Sequence, residues 1–123
     1  MKQLFLCSLA CILLISCSKK NEADKEAPVV TITSPTNNQT LPAGEIHIKG
    51  TITDNAYINQ FHIEISDLNT GVEYLHVHIH PTSKTYAFDQ TFTVQQGIDY
   101  KIKVVAEDPS TNTSSGQVEV SCN

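Results

Sequence analysis

From Pro28 onward the chain alternates apolar and polar residues in short runs, and no helical period interrupts them. Each run ends at Pro, Gly, Asn or Asp, which is the punctuation of strands joined by turns. The first run, PVVTITSP (28–35), is bounded by prolines and suits an edge strand. In EIHIKGTIT (45–53), Ile46, Ile48 and Ile52 alternate across Gly50, where a bulge is expected. INQFHIEIS (58–66) sets Phe61, Ile63 and Ile65 on one face. EYLHVHIH (73–80) does the same with Leu75, Val77 and Ile79. YAFDQTFTV (86–94) offers Phe88, Phe92 and Val94, and YKIKVVAED (100–108) offers Tyr100, Ile102, Val104 and Ala106. GQVEVSC (116–122) closes with Val118 and Val120. Seven half-buried strands predict an all-β fold, an immunoglobulin-like antiparallel β-sandwich, with Tyr100 where a tyrosine corner would stand.

The front of the chain follows different rules. Lys2 precedes an apolar run from Leu4 to Ile15, of signal-peptide length and too short to cross a bilayer as a helix. The run ends at Leu14-Ile15-Ser16-Cys17, which resembles the lipobox of bacterial lipoproteins. That resemblance implies cleavage before Cys17 and lipidation of Cys17, with several acyl chains giving stable membrane anchoring. An uncleaved membrane anchor is the competing reading. Residues 1–17 are thus expected to be a signal peptide, 18–27 a flexible polar tether, and 28–123 one sandwich domain. The tether, SKKNEADKEA, places lysines and then acids after the lipid cysteine, which resembles the surface-export signal of Bacteroidetes lipoproteins. It implies an outer-membrane, surface-exposed location. A periplasm-facing lipoprotein is the alternative.

Charge and cysteine content narrow the partners. After removal of residues 1–17 the chain keeps seven lysines and thirteen acids, a net charge of −6, and it has no arginine. Nucleic-acid binding relies on basic patches and bidentate arginines, so that class is set aside. Cys7 and Cys11 belong to the signal peptide and Cys17 to the lipid. Cys122 is left without a partner, as a bystander at the end of the last strand.

PVVTITSPTNNQTLPAGEIHIKGTITDN and VVAEDPSTNTS resemble segments of bacterial Ig-like and cadherin-like modules. With the lipobox and a histidine cluster past the third strand, the chain also resembles the Bacteroidetes family called domain of unknown function 4625. These resemblances imply a fold and carry no activity.

The candidate chemistry lies in YLHVHIHP (74–81). With Leu75, Val77 and Ile79 facing inward, His76, His78 and His80 share the outer face. On the preceding strand Gln60, His62 and Glu64 point outward too. SDLNTGVE between the strands reads as a turn, with Asn69 and Gly71 suited to positive φ. A five-residue loop (68–72) would pair His62 with His78 and Glu64 with His76. A three-residue loop would pair His62 with His76 and Gln60 with His78. Residues i and i+4 of a strand lie about 13 Å apart, so three histidines in a row cannot share one ion. The expected ligand set is His62, His76 and His78, with Glu64 as fourth ligand or orienter and His80 peripheral. Imidazole-rich sets suit Zn or Cu, and Ni as well. The competing readings are a plain polar strand face and a pH-responsive patch. His47 points outward on a strand expected in the other sheet.

A second expectation concerns calcium. The loops TDNAY and AEDPSTNTS should meet at one pole of a sandwich, bringing together Asp54, Asn55, Glu107, Asp108 and Asn112. Turn chemistry explains the same residues without an ion. No nucleophile motif or phosphate loop is present, so an enzyme is not expected. The functional expectation is a lipid-anchored binding module that takes a metal, an envelope protein or a glycan. The alternative is a structural or adhesion module with no ligand of its own.

Overall fold

The computed structural model describes residues 21–123, and the lipobox, Cys17 and the rest of the leader lie outside the described residues. Eight strands follow in order: β1 (Val29–Ser34), β2 (Gln39–Leu41), β3 (Gly44–Thr53), β4 (Gln60–Asp67), β5 (Glu73–Ile79), β6 (Thr85–Val94), β7 (Asp99–Glu107) and β8 (Thr113–Cys122). They form a three-stranded sheet, β1-β3-β6, packed on a five-stranded sheet, β2-β8-β7-β4-β5. The all-β sandwich read from alternation is the observed architecture.

The core is built from one face of each long strand. Ile48, Ile52, Phe61, Ile63, Ile65, Phe88, Tyr100, Ile102 and Val104 are all essentially excluded from water. Fully burying an aliphatic or aromatic side chain of this size contributes about 1.5–3 kcal/mol, so these residues supply most of the driving force. The Tyr100 hydroxyl accepts a hydrogen bond from the Gln95 backbone N–H at 2.9 Å, which gives the buried phenol a partner at the corner before β7.

Four details differ from the sequence reading. The eighth strand is β2, only three residues long, which pairs parallel to β8. It is too short to show a period. Gly50 is not itself bulged, because β3 runs in continuous register with β6 through Gly50↔Phe88. The irregularity falls on the facing edge strand, between Ile32 and Ser34. Glycine is needed at position 50 for room: a Cβ there would run into the Thr31 carbonyl oxygen and the Phe88 ring. Finally, Leu75, Val77 and Ile79 face inward but are only half-buried, since β5 is the edge of its sheet. Cys122 is a buried core residue rather than a terminal bystander.

Gly50→Ala should destabilise the domain by about 2–3 kcal/mol through overpacking against Phe88. Thr51→Ala, on the exposed face next door, should change stability by less than about 0.5 kcal/mol. Urea unfolding of the two variants checks both; equal midpoints would contradict the packing described.

Candidate functional site

The β4–β5 hairpin sets the histidine face. Asp67 Oδ1 accepts from the backbone N–H groups of Asn69 and Thr70, at 2.8 and 2.9 Å, and Gly71 takes φ 76°. These backbone bonds hold the Asp67 carboxyl below its ordinary pKa. Asn69 does not take the positive φ expected of it; the Asp67 side chain organises the turn instead. The loop spans 68–72, and the ladder pairs His62 with His78 and Glu64 with His76. Of the two registers compatible with the sequence, the structure has the one with the five-residue loop.

That register gathers four imidazoles. The His62 and His78 rings stack with centroids 4.0 Å apart. His62 Nδ1 lies 2.9 Å from His76 Nε2, and the His78 and His80 rings are 4.5 Å apart. His78 is further oriented by β4. Gln60 Nε2 donates to Glu107 Oε1 at 3.1 Å, which turns Gln60 Oε1 toward His78 Nε2 at 2.8 Å. His78 Nε2 therefore carries the proton, and its Nδ1 keeps a free lone pair. His80 Nδ1 donates to the Asn59 carbonyl at 3.3 Å, which holds it at the rim. Burial first, then the neighbouring charges of His62, His80 and His76, push the His78 pKa below the usual imidazole value.

One expectation for this face changes. Glu64 stands opposite His76 in the ladder, yet its side chain makes no hydrogen bond or ion pair among the described residues. The carboxylate that meets His76 is Glu73, with Oε2 3.4 Å from His76 Nδ1. An irregularity in the ladder causes the exchange: Ile65 pairs with Leu75 but Ser66 pairs with Glu73, so Tyr74 is the extra residue. The skipped position turns Glu73 onto the histidine side. It also sends Tyr74 against Phe92 and Tyr100, with centroids 6.5 and 5.7 Å away. His47 is separate, as expected. It sits on β3 in the other sheet, 2.6 Å from Asp89 Oδ1, with Lys49 on the same carboxylate at 3.5 Å.

The acidic pole is also present, with one member exchanged. Asp54 and Asp108 come together, and Asn55 and Asn112 lie beside them. Glu107 does not join, because it is one residue out of phase with buried Asp108 and serves Gln60 on the outer face. Its place is taken by Asp24, from the segment read as a tether. Among the described residues this is the one group of three or more whose ligand atoms all lie within 4.8 Å of one another; the histidine nitrogens are spread more widely. A separate depression of about 210 Å³, lined by Asn38, Leu68, Asp99, Glu119, Val120 and Ser121, includes none of the candidate site residues.

Comparison with known proteins gives the fold company and no activity. No functionally curated protein matches. An engineered protein aligns with a TM-score of 0.57 and 13% identity over 78% of this chain, which spans only 20% of that protein's length. A superoxide reductase (neelaredoxin) variant from Ignicoccus hospitalis aligns with a TM-score of 0.54 and 10% identity, over 82% of this chain and 83% of its own. At such identities the likeness shows the fold alone. The sequence is more specific: residues 15–122 match the family described as a domain of unknown function (DUF4625), and the chain belongs to that family.

Proposed function

We propose that this is a lipid-anchored protein of the bacterial outer membrane, surface-exposed, whose sandwich works as a binding module and takes Zn or Cu through His62, His76 and His78. The anchoring part rests on the lipobox at Cys17 and the charged tether after it. The metal part rests on one observation: His62 Nδ1 and His76 Nε2 face each other at 2.9 Å across two strands. Two nitrogens on a tetrahedral ion, each about 2.0–2.1 Å from it, are about 3.3–3.4 Å apart. A small opening of the pair would therefore admit an ion in place of the shared proton. His78 stacks on His62 and keeps Nδ1 free, so a side-chain rotation on an exposed strand face supplies the third nitrogen. The Glu73 carboxylate beside His76, and Gln60 bonded to His78 and backed by Glu107, supply the kind of outer partners that metal-binding imidazoles use. The site lies on an open sheet face rather than in a cleft, which favours binding over catalysis.

The other reading, a structural or adhesion module without a ligand, makes the opposite prediction in a titration. Calorimetry on the detergent-solubilised chain should find one Zn²⁺ or Cu²⁺ per chain with a Kd near about 1 µM or below. The His76→Ala, His78→Ala double variant should bind at least about a hundredfold more weakly, and Glu73→Gln about tenfold. His47→Ala should bind like the parent. A double variant that binds as well as the parent contradicts the proposal.

Without metal, the lowered His78 pKa has a stability consequence. The native state disfavours the proton on His78, while the unfolded chain accepts it near pH 6.5. Below about pH 6.5 the unfolded state therefore binds more protons, and stability falls as pH drops toward the lowered native value. Above that window the contribution is fully present. His78→Gln should flatten the stability curve between about pH 7 and pH 5; a curve unchanged in shape would contradict the assignment.

A further inference from the structure

The acidic pole carries more than clustered charge. Asp24 comes from the segment before β1, Asp54 follows β3 directly, and Asp108 follows β7 directly. Asp108 is wholly buried, and the other two are largely covered. Each is held by a specific bond network. Asp24 Oδ1 accepts from the Glu26 backbone N–H at 3.0 Å and from Asn55 Nδ2 at 3.1 Å. Asp54 Oδ1 accepts from the Ala56 N–H at 2.9 Å. Asp108 Oδ1 and Oδ2 accept from the backbone N–H and Nδ2 of Asn112, at 2.8 and 2.7 Å. The same Asn112 Nδ2 also reaches the Asp24 carbonyl at 3.0 Å, so one amide ties the leading segment to the loop after β7.

What remains is unsatisfied. Asp24 Oδ2 and Asp54 Oδ2 are sealed from solvent and meet no hydrogen-bond donor. They are the two buried side-chain polar atoms among the described residues in that condition, and both fall in this cluster. No lysine or histidine pairs with any of the three carboxylates; the ion pairs among the described residues involve Asp89 and Glu73. Buried carboxylate oxygens without donors are costly, and three carboxylates with oxygens within 4.8 Å of one another repel. A cation between them removes both penalties at once.

We propose that Asp24, Asp54 and Asp108 bind one divalent cation of the calcium class, and that this ion fastens the segment preceding β1 to the sandwich. The donors are all hard oxygens, as calcium requires. Calcium–oxygen distances of about 2.3–2.6 Å put opposite ligands about 4.6–5.2 Å apart, and the three donor atoms lie within 4.8 Å of one another. Ca²⁺ completes its shell with water and tolerates irregular geometry, whereas Mg²⁺ demands a regular octahedron. Asn112 and Asn55 are positioning residues: they fix carboxylates and backbone without donating oxygen to the ion. The ion closes a junction between residues distant in sequence, so it sets how residues 21–27 leave the domain.

The test uses the detergent-solubilised chain stripped with chelator, with thermal unfolding and amide hydrogen exchange followed as CaCl₂ is added. Ca²⁺ at about 1–5 mM should raise the Tm by several degrees and protect the amides of residues 22–27 and 108–112; Mg²⁺ should do so less. Asp24→Asn lies outside every strand and leaves the core intact. It should match or exceed the parent Tm in chelator, yet lose the protection of residues 22–27 and bind Ca²⁺ at least about tenfold more weakly. Asp54→Asn should raise the Tm in chelator, by removing one of three repelling charges, and abolish the Ca²⁺ response. No Tm shift and no gain in amide protection on adding CaCl₂ to the parent would overturn the site. A calcium response undiminished in Asp24→Asn would overturn the fastening of the leading segment.

Discussion

The burial of Phe61, Ile63 and Ile65 between the sheets is the constraint on which the rest depends. A strand has two faces and a period of two, so committing the odd residues of β4 to the core commits the even ones to the outside. The neighbours must then match: Ile63 stands opposite Val77 on one side and Val104 on the other. A slip by one residue would expose three fully buried side chains, at about 1.5–3 kcal/mol each, and push imidazoles into the core. His62 faces His78 because Ile63 faces Val77. The histidine cluster is thus a by-product of core packing in its position, and a matter of residue choice only in its chemistry.

Two side-chain clusters of opposite character stand at the edges of this core. On the outer face of β4 and β5 the groups are imidazoles in contact with water: Gln60, oriented by Glu107, bonds His78, and the Glu73 carboxylate lies beside His76. At the pole the groups are carboxylates withdrawn from water, with two oxygens that lack donors. Borderline metals suit the first and hard cations the second. Glu107 and Asp108, adjacent in sequence at the end of β7, serve one site each, because consecutive side chains point to opposite sides of the sheet.

The alternation of Ile, Val and Phe made the seven longer strands and the outward turn of the histidines legible, because each rests on a local period, and Pro28 and Pro35 marked β1 as an edge. Parity narrowed the hairpin register to two choices, and the turn chemistry of Asp67 and Gly71 decided between them. What escaped lacked a period. β2 pairs through three residues only, with Leu41 alone buried. Glu73 reaches His76 because Tyr74 is an extra residue in the ladder, and its aromatic side chain, drawn toward Phe92 and Tyr100, hints at the irregularity only in retrospect. Asp24 joins the pole through long-range bonds to Asn55 and Asn112, 31 and 88 residues away, which no local pattern announces.

The proposed metal-binding face at His62, His76 and His78 follows from strand register. Anomalous diffraction at the zinc absorption edge, from crystals grown with zinc, tests it most directly. A peak is expected between β4 and β5, within bonding distance of a nitrogen from each of those three histidines. A peak on His47 and Asp89 alone, or no peak on the β4–β5 face, would contradict it.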